Sequence, residues 1–178
     1  MSARKDERAA LVLADGAVFF GRALGARGVA GGEVVFTTGM SGYQEVLTDP
    51  SFAGQIVTMT APQIGNTGVN RDDEEDSKPR LSGFVLREES PVTSSWRAEE
   101  SLDAYLARHG VVAIDGVDTR ALTRHLRDEG SQNGVVAACP SSDTAAIEAL
   151  VRRAREVPSM LGLDLATAVS TKDSYVWR

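Results

Sequence analysis

The chain has 178 residues, 42% of them hydrophobic and 25% charged, which is typical of a soluble globular domain with its own core. Its net charge of −6 and its aromatic content of 6% argue against a protein that binds nucleic acid or anionic membranes. No apolar run approaches the roughly 20 residues of a membrane span, and no secretory signal precedes Asp15. The single cysteine, Cys139, fits a reducing compartment, so a cytoplasmic protein is predicted.

The front half of the chain is predicted to consist mainly of strands. Asp15-Gly16 within ALVLADGAVFFG predicts a hairpin, since Asp-Gly favours the tight turns that join antiparallel strands. The next predictions are a glycine-rich connection (ALGARGVAGG, 23–32), a strand (EVVFTT, 33–38), a short helix (YQEVLT, 43–48) and a strand (QIVTMT, 55–60). The stretch 61–80 has no periodicity and is predicted to be a long loop, of the kind that is either functional or disordered.

The back half alternates predicted strands with predicted helices. EESLDAYLARHG predicts an amphipathic helix, because Leu102, Tyr105 and Leu106 recur at helical spacing. VDTRALTRHLRDEG predicts a second helix with Asp118 as its N-cap and Gly130 just after its end. SSDTAAIEALVRRAREVP predicts a third helix, and the apolar runs between these helices predict strands. The fold class that follows is mixed α/β, with a mixed sheet and helices on one side.

The residues with reactive side chains have structural explanations. The sequence around Cys139 shows neither a helix N-terminus nor a base that would lower the thiol pKa, so a buried, inert thiol is favoured over a nucleophile. His109 and His125 lie near predicted helix ends without clustered ligands, which favours structural roles over zinc binding. The acidic run RDDEEDS (71–77) favours a solvated loop over a metal site, and no metal site is predicted.

Ser51 follows Asp49-Pro50 in the turn LTDPSFAG. The motif G-x-S-x-G does not surround it, so the sequence gives no indication of a nucleophile. Spacing alone favours a turn residue and leaves a ligand contact as the less favoured alternative. The residues therefore supply no complete catalytic set, and no catalytic residue is predicted.

Five blocks in a fixed order carry a more specific signal. They are LVLADGAVFFGRALGARG, GEVVFTTGMSGYQEVLTDPSFAGQIVTMTAPQIGNTGVN, SGFVLRE, VDTRALTRHLRDEGSQNG and MLGLDLATAVST. Together they resemble the N-terminal domain of the carbamoyl-phosphate synthase small chain, a glutamine amidotransferase subunit. The resemblance runs from about Ala10 to Trp177.

The resemblance implies a three-layer β/β/α domain of the swivelling type over residues 1–158. Residues 159–178 would be a linker toward a glutaminase domain that this sequence does not include. In the family, the whole small subunit hydrolyses glutamine and supplies ammonia to a large subunit, which makes carbamoyl phosphate from bicarbonate, ammonia and ATP for arginine and pyrimidine synthesis. ATP and Mg would be used by the large subunit, so no cofactor is expected in this chain. The fragment alone is expected to be inactive.

The resemblance also implies a role for one residue, Ser51, as a hydroxyl that binds L-glutamine. The neighbouring Thr60–Gly68 is expected to line the same face, with its glycines permitting close backbone approach. The predicted helix with Arg120, Arg124 and Arg127 is expected to support the contact with the large subunit, with a solvated basic face as the alternative.

The expected partners are the large subunit, the C-terminal glutaminase domain and L-glutamine, with no nucleic acid and no membrane. The alternative function is a stand-alone binding or scaffold module that reuses the domain without chemistry.

Overall fold

The strands of this protein close into a mixed β-barrel surrounded by helices. The structure, a computed structural model, describes residues 7–138, 143–171, 173–174 and 176. Its strands are β1 (Arg8–Leu13), β2 (Val18–Gly25), β3 (Val29–Thr37), β4 (Gln55–Met59), β5 (Gly83–Val85), β6 (Val112–Asp115) and β7 (Gln132–Ala138). Its helices are α1 (Tyr43–Thr48), α2 (Leu102–Arg108), α3 (Thr119–Glu129), α4 (Thr144–Glu156) and α5 (Leu165–Val169), with a 3₁₀ turn at Pro50–Phe52.

The strand order around the barrel is β1-β2-β6-β5-β4-β3-β7, and β7 pairs with β1 to complete the circle. β3, β4, β5 and β6 run parallel to one another, whereas β1 and β7 are antiparallel to both of their neighbours. The parallel strands therefore all end at one side of the barrel, which we call the C-terminal rim, where Thr38, Thr60 and Arg87 follow β3, β4 and β5. The opposite side, where the same strands begin, is the N-terminal rim.

The predicted hairpin at Asp15-Gly16 is confirmed. β1 and β2 pair in antiparallel register with Val12 opposite Val18. The Asp15 carboxylate accepts a hydrogen bond from the Ala17 amide at 2.8 Å, which fixes the turn.

Every strand contributes an apolar side chain to the interior of the barrel. Leu11 and Leu13 point inward from β1, and Leu122 of α3 packs against the same cluster. Ala10 and Val12 face outward against α4, since successive side chains of a strand alternate between its faces. Both faces of β1 are therefore buried, which explains its continuous apolar sequence.

A second apolar cluster, the outer cluster, covers the outer wall of β4, β5 and β6. In it, Leu47 of α1 and Tyr105 and Leu106 of α2 pack with Met59 and Phe84, and all five are fully buried. Helices lie against two stretches of the wall, α2 on β2 and β6 and α4 on β1 and β7, and not on one side as predicted. The physical reason is that the sheet closes into a barrel. A closed barrel has an outer surface on every side, so apolar outward-facing side chains are buried by helices at more than one place.

Most other predicted elements form where the sequence placed them, and the mixed α/β class is confirmed. Asp118 caps α3 by accepting a hydrogen bond from the Ala121 amide at 2.9 Å, and Gly130 stands at the end of that helix. The strand predicted from QIVTMT forms as β4, and the next strand along the chain, β5, has only three residues. Within the described ranges, the structure contains no helix long and apolar enough to span a membrane.

The glycine-rich run 23–32 is not the connection that composition predicts. β2 continues to Gly25 and β3 begins at Val29, so both ends of the run belong to strands. Gly32 lies in β3, where a Cβ would stand 2.4 Å from the Gly54 carbonyl oxygen. Glycine here permits close packing of backbone against a strand, a role that composition alone does not distinguish from a turn.

Residues 61–80 form neither helix nor strand, as predicted, but they are held against the barrel. Ala61, Ile64 and Val69 are buried in the outer cluster. The disordered alternative therefore does not describe this loop, and a functional role for it stays a prediction.

Candidate functional site

Ser51 lies in the exposed 3₁₀ turn Pro50–Phe52, which joins α1 to β4 at the N-terminal rim. Asp49 has the extended conformation favoured before proline, with φ −63° and ψ 115°. Its Oδ1 accepts a hydrogen bond from the Ser51 amide at 2.8 Å. Phe52 packs on the outer cluster. The backbone that carries Ser51 is therefore fixed from both sides.

The Ser51 hydroxyl has no hydrogen-bond partner within the residues that the structure describes. A hydroxyl can donate and accept, so this group is available to a polar ligand. The two histidines are engaged elsewhere, because His125 pairs with Asp15 and His109 lies against Tyr105. The turn can thus orient a ligand, but neither histidine is placed to make Ser51 a nucleophile.

Two hydrogen bonds tie the acidic loop, residues 71–80, to the segments on either side of the Ser51 turn. The Glu75 amide donates to Thr48 Oγ1 at 2.9 Å at the end of α1. The Gly54 amide, at the start of β4, donates to the Arg80 carbonyl at 3.3 Å. No local sequence pattern indicates these contacts, because they join segments that are distant along the chain.

Thr60–Gly68, which was expected to line the same face as Ser51, begins at the opposite end of β4. A strand of this length spans roughly 17 Å. The Tyr43 hydroxyl, at the start of α1, donates to the Gly68 carbonyl at 2.5 Å, which joins the later part of this stretch to that helix. Phe52 of the turn and Ile64 of this stretch both pack in the outer cluster, and a role for Thr60–Gly68 on the Ser51 face stays a prediction.

Much of the charge in the acidic loop is paired. Arg97 donates to Asp73 Oδ1 at 2.8 Å, and Asn70 donates to Asp73 Oδ2 at 2.8 Å. The hydrogen bond from Asn70, with a further contribution from Arg97, lowers the pKa of Asp73. Similarly, the hydrogen bond from Arg80 lowers the pKa of Asp76. The loop is therefore tied down by these pairs, and no group of three or more candidate ligands for a metal occurs within the described ranges.

His125 and His109 both make contacts that support structural roles. His125 Nε2 lies 2.5 Å from Asp15 Oδ2 and so joins α3 to the first hairpin. The His109 ring lies 4.5 Å from the Tyr105 ring, and its pKa is lowered by burial and then by the neighbouring Arg108. Cys139 lies outside the described residues.

A second candidate site is a cleft of about 630 Å³ at the C-terminal rim, which we call the arginine cleft. It is lined by Arg87 after β5 and by Arg120, Arg124 and Arg127 of α3. The three α3 arginines share one face because residues three and four apart are neighbours on a helix. The sequence identified this group but missed Arg87, whose only signal was its place after a strand at the edge where parallel strands end.

Asp115 is a further residue that the sequence did not single out. It ends β6, is buried, and pairs with Arg22 of β2 at 2.6 Å. Its other carboxylate oxygen, Oδ1, is buried without a partner among the described residues. This ion pair reinforces the antiparallel pairing of β2 with β6 beside a cleft of about 570 Å³.

Comparison with known proteins identifies the family. The family model described as carbamoyl-phosphate synthase small chain, CPSase domain, matches residues 11–136. The carbamoyl phosphate synthase small chain of Parasynechococcus marenigrum is 56% identical over 170 residues, which are 96% of this chain and 43% of the relative. That of Syntrophotalea carbinolica is 52% identical, over 96% of this chain and 44% of the relative. That of Thioalkalivibrio sulfidiphilus is 53% identical, over 95% and 44% respectively.

This chain belongs to the carbamoyl-phosphate synthase small chain family, as its resemblance indicated. It spans less than half the length of the curated relatives it matches.

Proposed function

We propose that this chain is the N-terminal part of the small subunit of a glutamine-hydrolysing carbamoyl-phosphate synthase. The whole subunit would hydrolyse glutamine and supply ammonia to a large subunit, which would use ATP and Mg to make carbamoyl phosphate for arginine and pyrimidine synthesis in the cytoplasm. The observation that carries this proposal is the identity of 52% and 56% to small chains over 96% of this chain. No observation favours the alternative of a stand-alone module.

The proposal extends to the organisation of the chain. Residues 1–158 would form the domain, of the β/β/α swivelling type. Its layers would be the parallel strands β3–β6, the antiparallel strands and the helices. Residues 159–178 would be a linker to the glutaminase domain. The 93% exposure of Leu161 and the 50% exposure of Leu163 support a segment that packs on a further domain.

Within this proposal, Ser51 orients L-glutamine. Glutamine carries an ammonium and a carboxylate on its α-carbon, and a serine hydroxyl can accept from the first or donate to the second. The Asp49 hydrogen bond and the Phe52 packing fix the backbone of the turn, so the hydroxyl is presented in one place. The nucleophile would come from the glutaminase domain, across the N-terminal rim.

The test is Ser51→Ala in the small subunit that contains this chain, assembled with its large subunit. A hydrogen bond to a charged group is worth about 1.5–3 kcal/mol, so kcat/KM for glutamine should fall by about 10- to 150-fold. Synthesis from added ammonia should be unchanged, because ammonia bypasses the glutamine site. Ser51→Thr keeps a hydroxyl and should retain more glutamine activity than Ser51→Ala.

Ser131→Ala is the matched control, since Ser131 is also exposed and its hydroxyl has no hydrogen bond within the described ranges. Normal glutamine kinetics in Ser51→Ala would remove Ser51 from the site. Loss of ammonia-dependent synthesis with normal glutamine hydrolysis would do the same. The 178-residue chain alone should hydrolyse no glutamine, and activity in a pure preparation would contradict its proposed place as a non-catalytic part.

A further inference from the structure

We infer that the arginine cleft is a docking surface for an acidic segment of the large subunit. This inference rests on the proposed function, which supplies the partner. It adds the surface of this chain that engages that partner and the chemistry of the segment bound there.

The arginine cleft concentrates positive charge on a chain whose net charge is −6. Arg120, Arg124 and Arg127 make no ion pair within the described part of the chain. Arg87 forms an ion pair with Asp118 that is long at 3.9 Å. The four guanidinium groups are thus close together with a single long ion pair among them in the described residues. An anionic partner would relieve their mutual repulsion.

The geometry of α3 directs these arginines outward. Leu122 is buried against the interior cluster and holds α3 in place from the opposite face. From Arg120 to Arg127 the helix rises by about 10 Å, so the guanidinium groups form a row along one wall of the cleft. Arg87 adds a guanidinium from the strand side, so positive charge lines both walls.

An acidic protein segment fits this row better than a single small anion does. Guanidinium groups bind carboxylates in bidentate pairs, and carboxylates three or four residues apart on a helix have spacings similar to those of the arginines. The hydroxyls of Thr60 and Thr123, which also line the cleft, donate to backbone carbonyls at 3.0 Å and 2.7 Å. Those two donors are already used, which leaves the hydroxyls of Thr38 and Thr119 as the other neutral donors of the cleft and the row of guanidinium groups as its main anion-binding feature.

An exposed apolar side chain at the same rim is consistent with a protein interface. Met40, two residues beyond Thr38 of the cleft, is 72% exposed. Arginine and methionine are both enriched at protein interfaces relative to the rest of the surface. The C-terminal rim thus offers an apolar contact next to the charged row.

The experiment measures binding of the small subunit that contains this chain to its large subunit, by biolayer interferometry. The variant is Arg120→Glu with Arg124→Glu, and the control is Arg152→Glu with Arg153→Glu on α4, where both arginines are exposed. Both double variants change the net charge by the same amount, so they differ only in where on the surface the charge is reversed. Interface anchors commonly contribute 2 kcal/mol or more, so the cleft variant should bind at least about 30-fold more weakly, whereas the control should stay within about threefold.

Two further measurements support this comparison. Raising the salt concentration should slow association of the unmodified subunit more than that of the cleft variant, because screening weakens only the charges that are present. Arg120→Gln with Arg124→Gln removes charge without reversing it and should weaken binding to an intermediate degree. Circular dichroism melts check that each variant folds, and glutamine hydrolysis by the free subunit should be unchanged.

Each contrary result has a definite meaning. Binding by the cleft variant that equals the control overturns the inference and leaves the proposed function intact. No binding by the unmodified subunit refutes both the inference and the proposed partner. Competition by inorganic phosphate at constant ionic strength, with no loss of large-subunit binding in the cleft variant, would assign the cleft to a small anion. Self-association that only the cleft variant loses, with large-subunit binding intact, would assign it to a second copy. Either result overturns the docking inference.

Discussion

The hydrogen bonds between Gln44 of α1 and Asn70 are expected to stabilise the start of the acidic loop, which Asn70 immediately precedes. Gln44 lies in α1 and is 4% exposed, and its side-chain amide donates to the Asn70 carbonyl. Its Oε1 accepts from the Asn70 amide at 3.0 Å. Gln44→Met keeps a similar volume but leaves the Asn70 backbone donor and acceptor without these partners.

The cost of Gln44→Met follows from this geometry. A buried polar group left unpaired costs about 1–3 kcal/mol, and two such groups, offset partly by burying a less polar side chain, give about 2–4 kcal/mol. For a domain of this size the melting temperature should fall by about 4–16 °C. Glutamine and methionine have similar helix propensities, so a difference in stability between Gln44→Met and the unmodified chain does not arise from helix propensity.

The assay is urea unfolding of the 178-residue chain followed by circular dichroism. Glu45→Met is the matched control, because it changes the next residue of α1 to the same side chain, and no side-chain hydrogen bond of Glu45 occurs within the described ranges. The control should change the free energy of unfolding by less than about 0.5 kcal/mol. If the two variants differ by less than that amount, the Gln44–Asn70 pair does not stabilise the fold as argued.

Two further predictions concern the barrel. Burial acts to raise the pKa of Asp15, but hydrogen bonds from a backbone amide and from His125 outweigh it, so the pKa is lowered in the folded state. The stability this supplies is present above the unfolded pKa and is lost as pH falls through the folded value, so urea midpoints measured across acid pH should fall less steeply for Asp15→Asn, and an unchanged slope would contradict this. In Gly21→Ala, the new Cβ would stand 2.2 Å from the Asp115 carbonyl oxygen, so its melting temperature should fall well below that of Gly39→Ala, where the nearest atom is 3.5 Å away. Equal melting temperatures for the two variants would show that β2 and β6 adjust without cost.

Sequence signals that act over a few residues predicted the structure well. Asp15-Gly16 produced its hairpin, and Asp118 produced the cap of α3, because both depend on hydrogen bonds within one turn of chain. The helical spacing of Leu102, Tyr105 and Leu106 identified the buried face of α2 for the same reason. These features are local and therefore readable from one sequence.

Features that depend on distant contacts could not be predicted. β7 enters between β1 and β3, so that Val136 lies opposite both Leu11 and Ala30, and nothing in its own sequence selects these partners. This pairing closes the barrel. Because the barrel is closed, α2 packs on β2 and β6 while α4 packs on β1 and β7. The prediction that Gly32 belongs to a loop connection was wrong for a related reason. The backbone that packs against Gly32 is that of Gly54, which lies beyond α1 in the sequence.

The candidate sites divide in the same way. The Asp49-Pro50 pair predicted a turn at Ser51, and the turn forms. That the acidic loop is tied to the ends of this turn depends on Thr48 and Arg80, which no local pattern connects to Ser51. The arginine cleft was visible only in part, since its second wall comes from a different element.

The two proposed sites lie at opposite rims of the barrel, and this makes them separable. Ser51 precedes β4 at the N-terminal rim, whereas Thr60 follows β4 into the arginine cleft at the C-terminal rim. Sites more than about 10 Å apart that share no partners usually act independently. Weaker glutamine use with normal docking, or weaker docking with normal glutamine hydrolysis, can therefore be traced to one rim. A variant that impaired both would have disturbed the barrel between the rims, and its melting temperature would reveal that.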